Sequence, residues 1–369
     1  MSALVELRGE ASVYRRSAAL LVAAVGVVFL VSTLANNLFT VGPDFEEMID
    51  DFRPALTEES IATAKTDLVM LEGVGAEFEA AIVPAVAPQL GMTEAEFMSF
   101  IEANFPDVAS GVAALPEIVP TFNGLVDTLD SQRDLFQSAD EIPTEALPAT
   151  TVPWGFLVAG ISLLVIGALL FKPGWLAVAL AGGFGVLVVG VVLVLSLIPK
   201  AADADELNDN LRPIYTPELV EQAKGALITV EAMGTQMQTE MLPALAQQLG
   251  MDQTQLNGFL GENFPATAQA LGSMPEALGR FGDLTQTFDD NLDNYETIEP
   301  VSFFPIIWTL MVGAWIVLGA AVLAWWGGRA AQRTDEQRSK LGDADRTNRV
   351  DLRAEGEAPP RVRVPAGLK

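Results

Sequence analysis

The chain has 369 residues, half of them hydrophobic, yet it carries 48 acids against 21 bases and a formal net charge of −27. It contains no histidine and no cysteine. That excludes Ser-His-Asp and Cys-His nucleophilic centres, His or Cys zinc sites, haem ligation by these residues and structural disulfides.

High apolarity and high acidity coexist here because they are segregated along the chain. Residues 1–16 hold Arg8, Arg15 and Arg16. Residues 17–39 contain no Asp, Glu, Lys or Arg, and the same is true of 152–171, 174–199 and 301–328. Each window reaches the ~20 apolar residues that a helix rising ~1.5 Å per residue needs to cross a ~30 Å hydrocarbon core. Four transmembrane helices are therefore expected. The first has the basic start and the Thr-Leu-Ala ending of a signal peptide, but its apolar run is longer than a signal core, so it reads as an uncleaved anchor.

Between the windows the charge alternates. Residues 41–151 hold 22 acids and three bases, and residues 200–300 hold 17 acids and four bases. The turn at 172–173 carries Lys172, and the tail 329–369 carries ten bases with seven acids. By the positive-inside rule both ends and the turn are expected in the cytoplasm, and the segments 40–151 and 200–300 outside it. All six tryptophans lie in or beside the windows, as interfacial anchors do. The tail, poor in apolar residues, is expected to be disordered. Abundant alanine and a preference for Arg over Lys point to a bacterial inner membrane.

The two long segments repeat one another. "QLGMTEAEFMSFIEANFP" begins at Gln89 and "QLGMDQTQLNGFLGENFP" at Gln248. At an offset of 159, residues 53–130 align with 212–289 without a gap and with 27 identities. The shared residues include Arg53/Arg212, Lys65/Lys224, Glu72/Glu231, Gly75/Gly234 and the Asn-Phe-Pro triplets at 104–106 and 263–265. The unit of repetition is span, helical segment, span. A unit with an even number of spans inserts twice in the same orientation, which implies a pseudo-twofold axis along the membrane normal, a dimer fused into one chain. The expected fold is an all-α integral membrane protein. It has four transmembrane helices and two homologous extracytoplasmic helical domains, a tandem duplication with a parallel pseudo-twofold.

Local signals within the segments are helical. Thr57 is a candidate N-cap, followed by acids in the first turn. Thr93-Glu-Ala-Glu has capping-box spacing, and Asp252-Gln-Thr-Gln replaces it in the second copy. Asn-Phe-Pro then breaks the helix, because a residue before proline avoids helical geometry. Pro116 and Pro275 are placed in the first turn of the following helix. Ile118, Val119, Phe122, Leu125, Leu129 and Phe136, matched by Ala277, Leu278, Phe281, Leu284, Phe288 and Tyr295, make an amphipathic face expected to fill each domain's own core.

Little in the sequence points to chemistry. No phosphate loop or dinucleotide fingerprint is present, and "AGGFG" at Ala181 lies inside a span. The acidic runs from Asp203 and Asp289 lack the Gly and terminal Glu of an EF-hand loop. They read as solvated charge before they read as calcium sites. The spans carry no ionisable side chain to mark a proton path. Ala177, Ala181 and Gly185, and Ala320, Ala324 and Gly328, form small-residue stripes suited to close helix packing or to a docked partner. No catalytic, cofactor or metal residue is assigned, and no nucleic acid is expected. The leading expectation is a non-enzymatic membrane scaffold or accessory subunit that presents paired acidic domains to an envelope protein. Alternatives are a carrier or conduit for lipid through a groove between the repeats, and a ligand sensor without its own output domain.

Overall fold

The structure is a computed structural model and describes residues 2–144, 147–172 and 174–355. Those residues form helices and no strand. In chain order the helices are α1 (Ser2–Ala35), α2 (Leu38–Phe52), α3 (Glu58–Glu77), α4 (Val83–Gln89), α5 (Glu94–Asn104), α6 (Pro106–Ser131), α7 (Arg133–Asp140) and α8 (Thr151–Leu170). They continue as α9 (Trp175–Val194), α10 (Leu197–Leu211), α11 (Pro217–Gln236), α12 (Leu242–Leu249), α13 (Gln253–Asn263), α14 (Pro265–Asp290), α15 (Leu292–Ile298) and α16 (Phe303–Glu355). Four stretches are long and apolar enough to cross a membrane: Val13–Ala35, Thr151–Leu170, Trp175–Val194 and Phe303–Arg329. The chain divides into two compact units. One holds the apolar helices (up to Ser32, Gly155–Val194 and from Trp308), and the other holds Thr33–Trp154 with Leu195–Ile307.

Helix boundaries in the second unit recur 159 residues apart, each for a local reason. Asn37 and Ser196 adopt left-handed conformations, at φ 48° and 51°, and end α1 and α9 before the charge-free windows end. A backbone turn leaves no trace in charge counts, so the windows overran these helices. Thr57 accepts the amide of Ser60 at 3.1 Å and starts α3 as expected. Widened π-turns at Phe78–Ile82 and Met237–Met241 contain the carbonyls four residues before Pro84 and Pro243, the ones each proline ring would otherwise strike.

Two expectations about these helical segments are corrected. Pro116 and Pro275 lie well inside α6 and α14, whose first residues are Pro106 and Pro265. The helix is carried through them although an interior proline forfeits a backbone hydrogen bond, and burial on either side offsets that loss. Nor does each segment enclose a core of its own. α6 and α14 each pack against both α3 and α11, α7 packs on α10, and α15 packs on α2. Phe122 and Phe281, 159 residues apart, meet edge to face with ring centroids 5.2 Å apart. The amphipathic face is buried as its period implies, but much of what covers it comes from the other segment. Each such aromatic contributes about 1.5–3 kcal/mol by burial, and that energy is shared between the segments.

In the apolar unit the small residues serve helix packing. A Cβ at Gly26 would lie 2.8 Å from the Gly160 carbonyl oxygen, and one at Gly185 would lie 2.6 Å from Leu318. Only glycine permits these approaches of α1 to α8 and of α9 to α16. The stripe on α9 thus faces α16 of its own half. The tail, expected to be disordered from Arg329, continues α16 as helix to Glu355. Its Ala, Arg, Gln, Leu and Lys are good helix formers and no proline interrupts them before Pro359. Residues 356–369 lie outside the described residues.

Candidate functional site

The repeated motif builds a stop, a start and a corner. Gly91 and Gly250 sit at φ 70° and 68°, and the following amides of Met92 and Met251 reach back to Ala87 O and Ala246 O. This is a Schellman stop, which requires a left-handed residue. Thr93 and Asp252 then open α5 and α13 with complete capping boxes. The Thr93 amide and hydroxyl hold the Glu96 carboxyl below its ordinary range. At the corner, Asn104 and Asn263 donate to Phe100 O and Phe259 O at 2.8 Å each. Phe105 and Phe264 pack edge-on against those same phenylalanines.

The corner leaves the first amides of α6 and α14 without intrahelical partners, and each set is satisfied by the other segment. Glu77 at the end of α3 accepts the amides of Ala266 and Thr267 at 3.0 and 2.8 Å. Gln236 at the end of α11 accepts those of Asp107 and Val108 at 2.8 and 3.2 Å. These reciprocal caps escaped sequence reasoning. The available signal was that Glu77 and Gln236 align and both carry an acceptor oxygen. A second exchanged pair follows the same plan: Asn291 donates to Asp51 at 2.9 Å, and Asn210 to Gln132 at 2.8 Å.

The retained bases hold helices together. Arg53 bridges Asp140 and Asp50, and Arg212 bridges Glu299 and Asp209. Lys65 pairs with Asp130 and Asp127, as Lys224 pairs with Asp289. The hydrogen bond to Asp130 raises the Lys65 ammonium and lowers the Asp130 carboxyl. Glu72 and Glu231 are instead exposed. Arg133, Lys200 and Arg280 pair with Asp130, Glu141 and Asp67. Every one of the seven bases in residues 41–151 and 200–300 is thereby matched to an acid, and the unit offers no uncompensated cation.

The acidic runs have structural work. Asp205 accepts from Ser302 Oγ and the amide of Phe303 at 2.6 Å each and from the amide of Phe304 at 3.1 Å, capping α16. Glu46, aligned with it, accepts the Thr150 amide at 3.2 Å ahead of α8. Asp289 is the partner of Lys224, and Asn291 is fully buried. Among the described residues no group of three or more acids is disposed to hold a metal ion.

Tyr215 stacks on Tyr295 at 4.5 Å beside Phe288 and Phe52. Burial raises both phenols, Tyr295 to about 12, and the Tyr215 hydroxyl is buried without a hydrogen-bond partner. Two apolar gaps between the segments are small among the described residues: one beside Phe122 and Phe288 measures about 10 Å³, and one beside Met237 and Phe264 about 20 Å³. A larger cavity of about 490 Å³ opens between α2, the end of α7 and the stretch leading to α8. No family model, curated protein or solved structure matches this chain.

Proposed function

We propose that this protein is a non-enzymatic membrane scaffold, a dimer fused into one chain, whose acidic helical unit lies outside the cytoplasm and docks a basic envelope protein. The observation that carries the reading is the complete internal matching of the unit's seven bases within a segment pair holding 39 acids. Such a surface attracts cations over a Debye length of about 8–10 Å and repels its own kind. The exchanged caps and shared core support a rigid platform, since neither segment can open without uncapping the other. The orientation rests on the positive-inside bias of the ends and the Lys172 turn.

A lipid conduit needs a groove between the repeats. Two gaps between the segments among the described residues, of about 10 and 20 Å³, are about a thirtieth and a fifteenth of the ~300 Å³ at which ligand pockets begin, which supports the scaffold reading. The test is purification of the full chain in native membrane discs at low and at moderate salt, with protein and phospholipid both quantified. A basic protein retained stoichiometrically and released as salt rises is the expected result. Enrichment of lipid without such a protein would overturn the scaffold reading in favour of a carrier. Reporters at Gly91 and Gly250 should be extracytoplasmic and reporters at Lys172 and Lys340 cytoplasmic; the reverse would sink the orientation.

A further inference from the structure

The repeat contains its own control for the 490 Å³ cavity. In the second segment the chain passes from α15, ending at Ile298, to α16, starting at Phe303, in four residues. There Arg212 bridges Glu299 directly, and Asp205 binds the start of α16. In the first segment ten residues separate Asp140 from Thr151, and they include Ile142, Thr144, Leu147, Pro148 and Ala149, five of the twelve described residues that line the cavity. The fold does not need this added chain, because the same helices close without it in the other half. The insertion is anchored at both ends: Lys200 holds the Glu141 carbonyl and carboxylate at 2.9 and 3.0 Å, and Glu46 takes the Thr150 amide. Its described residues line space of the size that small molecules occupy.

The wall fixes the charge of an occupant. Among the described residues, Glu46, Asp50 and Asp140 line it with one base, Arg53. Arg53 already donates to Asp140 at 2.7 and 3.3 Å and pairs with Asp50 at 2.8 Å. The net wall charge is therefore negative, and no cation is left for a phosphate or carboxylate ligand. The carboxylates do not converge as a metal-binding group among the described residues. Phe45, Ile49 and the apolar residues of the insertion share the wall with them. Carboxylates set beside hydrocarbon match a cation that carries hydrocarbon of its own.

We infer that this cavity is a binding site for a small organic ammonium ion, its charged head among Glu46, Asp50 and Asp140 and its apolar body against Ile142, Leu147 and Pro148. The head gains charge-assisted hydrogen bonds while Arg53 keeps Asp140 in place. The body covers the apolar wall, where Leu147 is 51% exposed. This goes beyond a docking platform, because it gives the first half of the pseudo-dimer a ligand that the second half lacks.

The test uses the full chain in phosphatidylcholine nanodiscs, with ligand-observed NMR and titration calorimetry at physiological salt, and empty discs as the blank. Phenethylammonium is the probe, and phenylacetate, with the same ring and the opposite charge, is the control. Saturable one-to-one binding of the ammonium and none of the anion is expected. Glu46→Gln keeps an oxygen for the Thr150 amide, and Asp50→Asn gives up only an exposed pair with Arg53 while the Arg53–Asp140 pair stays intact. Each should weaken binding about three- to tenfold by loss of one nearby charge. Asp283→Asn, an exposed acid on α14, should leave it unchanged. Equal weakening by all three variants would mean diffuse attraction to an acidic surface. That result, binding of the anion, or no saturable binding would overturn the assignment.

Discussion

The ion pair between Arg280 of α14 and Asp67 of α3 joins the two segments and should behave asymmetrically on mutation. Arg280 reaches Asp67 Oδ2 through Nε at 2.9 Å and Nη2 at 2.6 Å. The Asp67 side chain is 7% exposed and that of Arg280 38%. Arg280→Met strands a carboxylate away from water, and breaking a buried pair in this way costs about 3–5 kcal/mol. Partial hydration of the site on the arginine side argues for the lower end, about 3 kcal/mol. Asp67→Asn keeps an acceptor oxygen and leaves a guanidinium that can turn to solvent, for about 1 kcal/mol. Joined as Asp67→Leu with Arg280→Met, the change should cost less than Arg280→Met alone, since well-packed apolar replacements of a buried pair are often neutral. The absence of native cysteine allows a clean assay. Ala223→Cys places a thiol on α11 at a position 4% exposed, and its labelling rate in the full chain reports opening of the unit. A 3 kcal/mol loss accelerates labelling about 150-fold and a 1 kcal/mol loss about fivefold. Equal effects of the two single variants, or additive effects in the pair, would refute the idea that the buried carboxylate is the costly partner.

Glu77→Ala should speed hydrogen exchange at the amides of Ala266 and Thr267, and Gln236→Ala at those of Asp107 and Val108, each costing about 1–2 kcal/mol. Faster exchange confined to the mutated segment would mean the caps are not exchanged. An ideal Cβ on Gly73 lies 3.1 Å from that of Ala266, close to the 3.5–4.5 Å of a disulfide. Gly73→Cys with Ala266→Cys should therefore oxidise within one chain, and purely intermolecular dimers would contradict the interlocked arrangement. Tyr295, raised by burial from 10.0 to about 12, keeps its proton in the folded unit where an unfolded tyrosine has lost it. Its contribution is full below pH 10 and is lost as pH rises through 12, and Tyr215 acts in the same direction. Alkaline titration of Ala223→Cys labelling should show that decline, and Tyr215→Phe should make it shallower; a flat profile to pH 12 would exclude the effect.

The amino-acid sequence by itself determined whatever depends on composition within a short window. Four apolar stretches reach membrane length because hydrocarbon thickness sets a count of residues, and that count is visible without coordinates. The capping boxes at Thr93 and Asp252 and the break at Asn-Phe-Pro were legible for the same reason, since partner and cap lie three residues apart. Pro116 was misplaced because its local preference for a helix start is outweighed by burial along α6, which neighbours distant in sequence supply. Which segment completes which core was settled only by tertiary structure. A period of 3.6 says that Phe122 faces inward, but not that Phe281 faces it. The caps from Glu77 and Gln236 span 189 and 129 residues or so, and nothing local distinguishes a carboxylate that meets a remote helix end from one that meets water. The cavity beside Arg53 belongs to the same class. Its walls are ordinary residues of α2 and a short connection, and the enclosed space exists only once long-range packing has brought them together.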